Sequence, residues 1–370
     1  MSLRIGLVGL PNAGKSTLFN ALVEGARAEV AHYPFCTIEP NVGVVEVPDG
    51  RVRVLAEREG AARAVPAVVQ VVDIAGLVRH ASRGEGLGNQ FLAHVREMDA
   101  LALVLRCFRS GEVPHVEGTV DPIRDLEILE LELIAKDLET VEKRMARVEK
   151  PARSGDRRAA EEREILEVLH RILSSAEPLR RHRATLAPEV LEYAQGVLFL
   201  LSLKPVFWVA NLGEEDLPGG EGNPQVTRLR ERAREEGVPV VALCAELEAQ
   251  LLELSPPERE EMLGLYGLEQ PGLKRFIEEG YRLLDLLTFY TVNEKEARAR
   301  SAPRGTTALA AAESIHTDLA RGFIAAEVIN FREYLQAENL AEARRRGWVR
   351  LEGRDYRLED GDILYIRFRP

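Results

Sequence analysis

At 370 residues the chain is long enough for two or three domains, and its 45% apolar content can supply a sizeable core. A net charge of −11 excludes a protein that binds polyanions over its whole surface, so any nucleic-acid contact must come from local basic patches. No apolar run reaches the roughly 18 residues of a membrane span, no signal-peptide pattern is present, and the three scattered cysteines, Cys36, Cys107 and Cys244, argue against a disulfide framework or zinc site and for a reducing cytoplasmic setting.

The first predicted element is a buried strand over residues 3–8, followed at once by Gly9-Leu-Pro-Asn-Ala-Gly-Lys-Ser16, a complete G-x-x-x-x-G-K-[ST] phosphate loop, and then by a helix beginning at Thr17. Strand, glycine loop and helix form the context that makes this pattern a site. Gly9 and Gly14 permit a close backbone approach. The loop residues Asn12, Ala13, Gly14, Lys15, Ser16 and Thr17 then wrap a triphosphate at the positive end of the helix. Lys15 reaches the outer phosphates, and Ser16 holds Mg2+. The proline-punctuated loop Tyr33–Asn41 carries Thr37, a second candidate magnesium ligand that would engage when a γ-phosphate is present. The apolar strand 68–72 ends in Asp73-Ile-Ala-Gly76. Asp73 is placed to organise the metal, and Gly76 to sense the γ-phosphate. Leu77 follows where Ras-like switches place a water-orienting glutamine. Another group must therefore complete catalysis. His80, His94 and His115 are candidates, His115 lying in a loop punctuated by Gly111, Pro114 and Gly118.

Leu131, Ile134, Leu138, Val141, Met145 and Val148 make a heptad seam, and Ile165, Val168, Leu169 and Ile172 a second apolar stripe. Together they predict an antiparallel helical hairpin inserted into the nucleotide domain over residues 122–203. Its tip, residues 143–158, carries seven basic and two acidic side chains, and Arg180, Arg181 and Arg183 form a second basic cluster. These basic groups are either a contact for RNA or protein, or a solvated tip.

The strand 205–210 leads to Asn211-Leu212-Gly213-Glu214, where GTPases carry Asn-Lys-x-Asp. A glutamate displaces the short carboxylate that accepts guanine's two donors, and stranding those donors costs about 1–3 kcal/mol each. Adenine has no such pair, and the amide of Asn211 can serve it. ATP is therefore expected over GTP. The strand 238–243 delivers Cys244 and Ala245, a loop whose backbone contacts the base; Cys244 reads as a small loop residue. Helices are expected over about 249–280. The segments 286–292, 308–315, 348–351 and 362–368 then read as strand, helix, strand and strand, a mixed β-grasp pattern. Residues 281–370 hold 15 basic against 14 acidic side chains, with Arg344, Arg345, Arg346 and Arg350 as candidate RNA contacts or, equally, helix C-terminal charges.

The motifs at 9–17, 35–41, 73–78, 84–92 (Gly-Glu-Gly-Leu-Gly-Asn-Gln-Phe-Leu) and 106–108 (Arg-Cys-Phe) together resemble the YchF family of Obg-like ATPases, over essentially the whole chain. The resemblance implies a Ras-like α/β P-loop NTPase domain of the OBG type over residues 1–280, with the coiled-coil insertion, and a TGS domain over 281–370. It implies an ATPase with Mg2+ in which Leu77 stands for the glutamine, His115 is the catalytic histidine in a flexible loop, and Asn211–Glu214 is an N-x-x-E base motif. Arg79-His80 departs from the Lys-Gly usual there. The partners it implies are the ribosome or its subunits, with no DNA, no membrane and a monomeric chain. Two alternatives stand beside this reading: a GTPase of relaxed base specificity, and a nucleotide-stabilised scaffold.

Overall fold

The computed structural model describes residues 3–29, 41–74, 94–111 and 113–369. The expected switch loop with Thr37, and the segment with Gly76, Leu77 and His80, lie outside the described residues. Contacts divide the chain into two compact units, one of residues 4–43 and 71–280 and the other of 1–3, 44–70 and 281–370. Residues 44–70 fall within the linear stretch assigned to nucleotide binding, yet they group with the C-terminal residues.

The strands are β1 (Arg4–Val8), β2 (Val42–Glu46), β3 (Ala64–Val65), β4 (Val68–Asp73), β5 (Ala100–Arg106), β6 (Val206–Asn211), β7 (Val240–Leu243), β8 (Leu286–Val292), β9 (Ala297–Pro303), β10 (Phe323–Asn330), β11 (Arg350–Glu352) and β12 (Asp362–Phe368). One sheet has the order β2-β4-β1-β5-β6-β7, and its β1/β5, β5/β6 and β6/β7 pairs are parallel. Strands buried on both faces of a parallel sheet read as unbroken apolar runs, and β5 and β6 are buried at every position. Register then lines up the strand ends: Val8 sits opposite Leu103, Arg106 opposite Asn211, and Asn211 opposite Leu243. The carboxyl ends of parallel strands are where open α/β sheets bind ligands.

The helix Pro122–Arg153 starts on Asp121, whose carboxylate accepts the amides of Ile123 and Arg124. Its first half buries Leu126, Leu129 and Leu133 against the sheet core with Trp208 and Leu105. Its second half packs Ile134, Val141 and Val148 against Ala159, Leu166, Leu169 and Leu173 of the helix Arg157–Ser174. The expected seam therefore begins at Ile134, because Leu131 is 49% exposed. The stripe on the second helix is also rotated: Leu166 and Leu173 are buried, while Ile165, Val168 and Ile172 are only partly covered. Periodicity locates an apolar side but does not say where a helix passes from one neighbour to the next.

Two of the three arginines of the second basic cluster are corrected, while Arg183 is exposed. Arg180 and Arg181 lie on a short 3-10 turn and bind Glu130 of the long helix and Glu236 of the helix Pro224–Glu236. Both glutamates are 6% exposed. These arginines are internal partners of buried carboxylates and are not surface groups. The tip arginines remain outside: among the described residues Arg153 and Arg157 pair with Glu149 and Glu161 one turn away on their own helices, both exposed.

The other unit holds a mixed sheet of order β11-β10-β12-β8-β9-β3. β8/β9 and β10/β12 are antiparallel, whereas β12/β8 is parallel. The helix Ala308–Ile315 lays Ala308, Ala311 and Ala312 on Leu287, Phe289, Val328 and Leu364. Within this unit Arg51 pairs with Asp49 and Asp360, and Asp49 accepts the hydroxyl of Tyr290 at 2.5 Å, so residues 49–51 are tied to β8. β9 (Ala-Arg-Ala-Arg-Ser-Ala-Pro) and β10 (Phe-Ile-Ala-Ala-Glu-Val-Ile-Asn) pair antiparallel with β8 and β12.

Candidate functional site

The phosphate loop leaves β1 at Val8 and enters the helix Lys15–Glu29. A Cβ on Gly9 would meet the Val104 carbonyl oxygen at 2.7 Å, and Gly14 adopts φ +85°. Both glycines are thus required by geometry. Asn12 takes φ 64°, an αL position that asparagine tolerates. Lys15 is buried, and its Nζ donates to Asp73 Oδ1 at 2.9 Å; the Ser16 hydroxyl donates to Asp73 Oδ2 at 3.2 Å. Asp73 stands at the end of β4. The three side chains that sequence spacing assigns to phosphate and metal are therefore brought together across 58 residues. Thr17 faces solvent on the helix.

At the base end Asn211 is 3% exposed. Its Nδ2 donates to the Ala13 carbonyl at 2.9 Å, and its Oδ1 accepts the Ala245 amide at 3.0 Å. The side chain thus staples the phosphate loop to the loop after β7, a task that sequence reading did not foresee. Leu212 packs in the sheet core with Leu10 and Cys107, which explains why an apolar residue stands there in place of lysine. Glu214 opens a 3-10 turn, and both its oxygens are engaged: Tyr266 donates to Oε2 at 2.7 Å and Gln250 to Oε1 at 3.2 Å. Cys244 is buried, and burial raises its pKa, with the nearby charge of Glu214 adding to the effect. A neutral, covered thiol is a packing residue and not a nucleophile.

His115 is 9% exposed and not free in its loop. Its Nε2 lies 2.7 Å from Asp125 Oδ2, and its Nδ1 accepts the Glu117 amide at 3.0 Å. Since Nδ1 accepts, the hydrogen-bond pattern assigns the proton to Nε2, which donates to the carboxylate. Arg124 donates to the other oxygen of Asp125 at 3.1 Å. In this arrangement both ring nitrogens are engaged, Nε2 by Asp125 in the first turn of the helix Pro122–Arg153 and Nδ1 by the Glu117 amide. The third histidine candidate, His94, is exposed.

Arg106 went unassigned in the sequence beyond its place in a motif. It is 2% exposed at the end of β5. Its guanidinium donates to the carbonyls of Val113 at 2.7 Å, and of Pro114 and Asn12 at 3.4 Å each, and lies over the ring of Phe108. Asn12 Nδ2 also donates to the Pro114 carbonyl at 3.1 Å. The phosphate loop and the His115 loop are therefore bound to each other. One signal was available: an arginine closing a strand of otherwise apolar residues must find internal acceptors.

A family model described as "50S ribosome-binding GTPase" matches residues 4–146. Another, named YchF-GTPase_C and described as "Protein of unknown function (DUF933)", matches residues 286–369. The chain is 46% identical over 368 residues to a protein of Haemophilus ducreyi named Ribosome-binding ATPase YchF, covering 100% of this chain and 99% of that one. It is 44% identical over 368 residues to the Bacillus subtilis protein of the same name, covering 100% of both. A solved structure, the YchF GTPase of Schizosaccharomyces pombe, superposes with a TM-score of 0.88 at 34% identity, covering 99% of this chain and 98% of that one.

Proposed function

This chain belongs to the YchF family, and from that membership and the site we propose that it is an ATP-hydrolysing switch that binds the ribosome. The observation that carries the nucleotide choice is the engagement of Glu214 by Tyr266 and Gln250. Guanine presents two adjacent donors and needs two free acceptors. The carboxylate that would supply them is fixed in orientation by two protein hydrogen bonds, and turning it to face guanine gives them up, at about 1 kcal/mol each. Adenine makes no such demand. The second proton of the Asn211 amide and the backbone near Cys244 and Ala245 are what we assign to it, while Leu212 shapes the pocket from the core side.

At the other end, Lys15 exchanges its bond to Asp73 for the outer phosphates, and the amides from Asn12 to Thr17 bind the phosphate chain. Ser16 and Asp73 converge as hard oxygen donors, which suits Mg2+, an ion usually held by one or two protein oxygens plus phosphates and water. Among the described residues no group of three or more His, Cys, Asp or Glu could hold a metal alone. When bound, Mg2+ neutralises charge on the phosphates. We assign Thr37 as its second ligand and Gly76 as the γ-phosphate sensor on sequence grounds. His115 supports attack by water after it leaves Asp125.

We read residues 281–370 as a TGS domain, on the helix-covered mixed sheet. Residues 122–203 we read as a coiled-coil arm in the OBG-type nucleotide domain, and the chain as a cytoplasmic monomer. With Arg180 and Arg181 committed internally, the arm tip and Arg344–Arg350 are the basic surfaces left for a ribosomal partner.

The second reading, a GTPase, is favoured by the description of the fission-yeast relative. Parallel calorimetric titration with non-hydrolysable ATP and GTP analogues decides between them. A preference for ATP is expected, and a tenfold preference for GTP overturns the ATPase reading. Sedimentation with ribosomes in each nucleotide state tests the partner.

A further inference from the structure

Tyr266 ends the helix Pro256–Leu265, 52 residues beyond Glu214, and no nucleotide motif includes it. Its ring packs on the small cluster of Cys244, Leu247, Leu251 and Leu263, which also carries Leu217 just beyond the turn of Glu214. The cluster begins at Cys244, next to the Ala245 amide that Asn211 binds. Tyr266 thus stands on the same small core as the base loop, with its hydroxyl aimed at the residue that replaces the guanine-reading aspartate.

We infer that Tyr266, helped by Gln250, is the positioning residue that sets purine selectivity by holding the Glu214 carboxylate out of use as a guanine acceptor. The inference rests on the ATP reading above and supplies its cause. A glutamate by itself is not a sufficient barrier to guanine: its side chain is longer than that of aspartate by one methylene, but it is flexible and could swing to accept the N1 and 2-amino protons. The phenol donates to Oε2 at 2.7 Å, and the amide of Gln250 to Oε1 at 3.2 Å. Each oxygen keeps a second lone pair, so the two bonds act by fixing the direction of the carboxylate, and they must be given up before it can turn to guanine. The same clamp helps adenine. Its N1 is an acceptor and would be repelled by a bare carboxylate, a penalty that the two donors reduce. One pair of hydrogen bonds therefore acts against guanine and for adenine, the two-sided arrangement that discrimination between similar ligands requires.

The test is calorimetric titration of the full-length chain with Mg2+ and non-hydrolysable ATP and GTP analogues. It compares the unsubstituted protein with Tyr266→Phe, Gln250→Ala and each combined with Glu214→Gln. Tyr266→Phe keeps the ring in the cluster and removes only the hydroxyl. It is expected to shift the ATP-to-GTP affinity ratio toward GTP by about 5- to 10-fold, the worth of one hydrogen bond. Gln250 is exposed, and its substitution is expected to give a smaller shift in the same direction. In the Glu214→Gln background both shifts should disappear. An unchanged ratio in Tyr266→Phe, a parallel loss of both affinities, or a shift that persists without Glu214 overturns the proposal. A native protein that prefers GTP instead sinks the ATP reading, and that result is read from the unsubstituted chain before any variant is considered.

Discussion

The two ends of the nucleotide pocket are built on different principles. At the phosphate end the working parts are backbone and a few charged side chains within one motif: Gly9 and Gly14 open the loop, Lys15 and Ser16 follow in sequence, and Asp73 completes the set from the neighbouring strand. At the base end the working parts come from far apart. Asn211 reaches Ala13 and Ala245, and Glu214 is held by Gln250 and Tyr266. Phosphate is a symmetric charge that backbone amides recognise, whereas a purine must be told from its near twin by side chains held in fixed orientation. The first task needs a local motif; the second needs tertiary support.

The largest effect expected of this division is at Lys15. Lys15→Ala should lower single-turnover phosphate release by about 1,000-fold, as loss of a charged group aimed at transition-state charge does; a loss below tenfold would move the chemistry away from this end. His115→Ala should lower turnover by about 100-fold and leave ATP affinity within about twofold. If turnover is unchanged, the buried His115–Asp125 pair is only part of the loop's packing. Asn211→Ala removes the staple between the two ends and leaves the Ala245 amide without its partner. Both analogues should then weaken, by about 10- to 30-fold or some 2 kcal/mol, with ATP losing the more because the second Asn211 amide proton is assigned to adenine; an equal loss of both would show that Asn211 acts only as the staple. The smallest effect concerns pH. The hydrogen bond to Glu214 raises the pKa of the Tyr266 hydroxyl above its ordinary value near 10. A phenol so raised stays protonated, and stays a donor, as pH climbs to that value. The ATP-to-GTP affinity ratio should therefore vary by less than about twofold between pH 7 and 9.5. A drift toward GTP within that window would mean that the donor is lost early.

The same division explains what could be read without coordinates. The phosphate loop, Asp73 and the strands β6 and β7 were legible because each rests on local spacing or on an apolar strand. The strand 286–292, the helix 308–315 and the strand 362–368 were legible for the same reason. The grouping of residues 44–70 with the C-terminal unit was not, because it rests on long-range contacts such as the pairing of β3 with β9 and the Arg51–Asp360 ion pair across 309 residues. Nor was the burial of Arg180 and Arg181. A run of arginines looks the same in sequence whether it faces water or a pair of buried glutamates, and Glu130 and Glu236 are 50 and 55 residues away.

The sequence by itself determined that a complete phosphate-loop motif stands between a strand and a helix, and that the guanine-reading aspartate is absent. Only the tertiary structure decided what Glu214 does in its place, that His115 rests on Asp125, and that Arg106 binds the two loops together. Those assignments depend on which donors lie within 3.5 Å of which acceptors, a property of chain packing that spacing along the sequence does not encode.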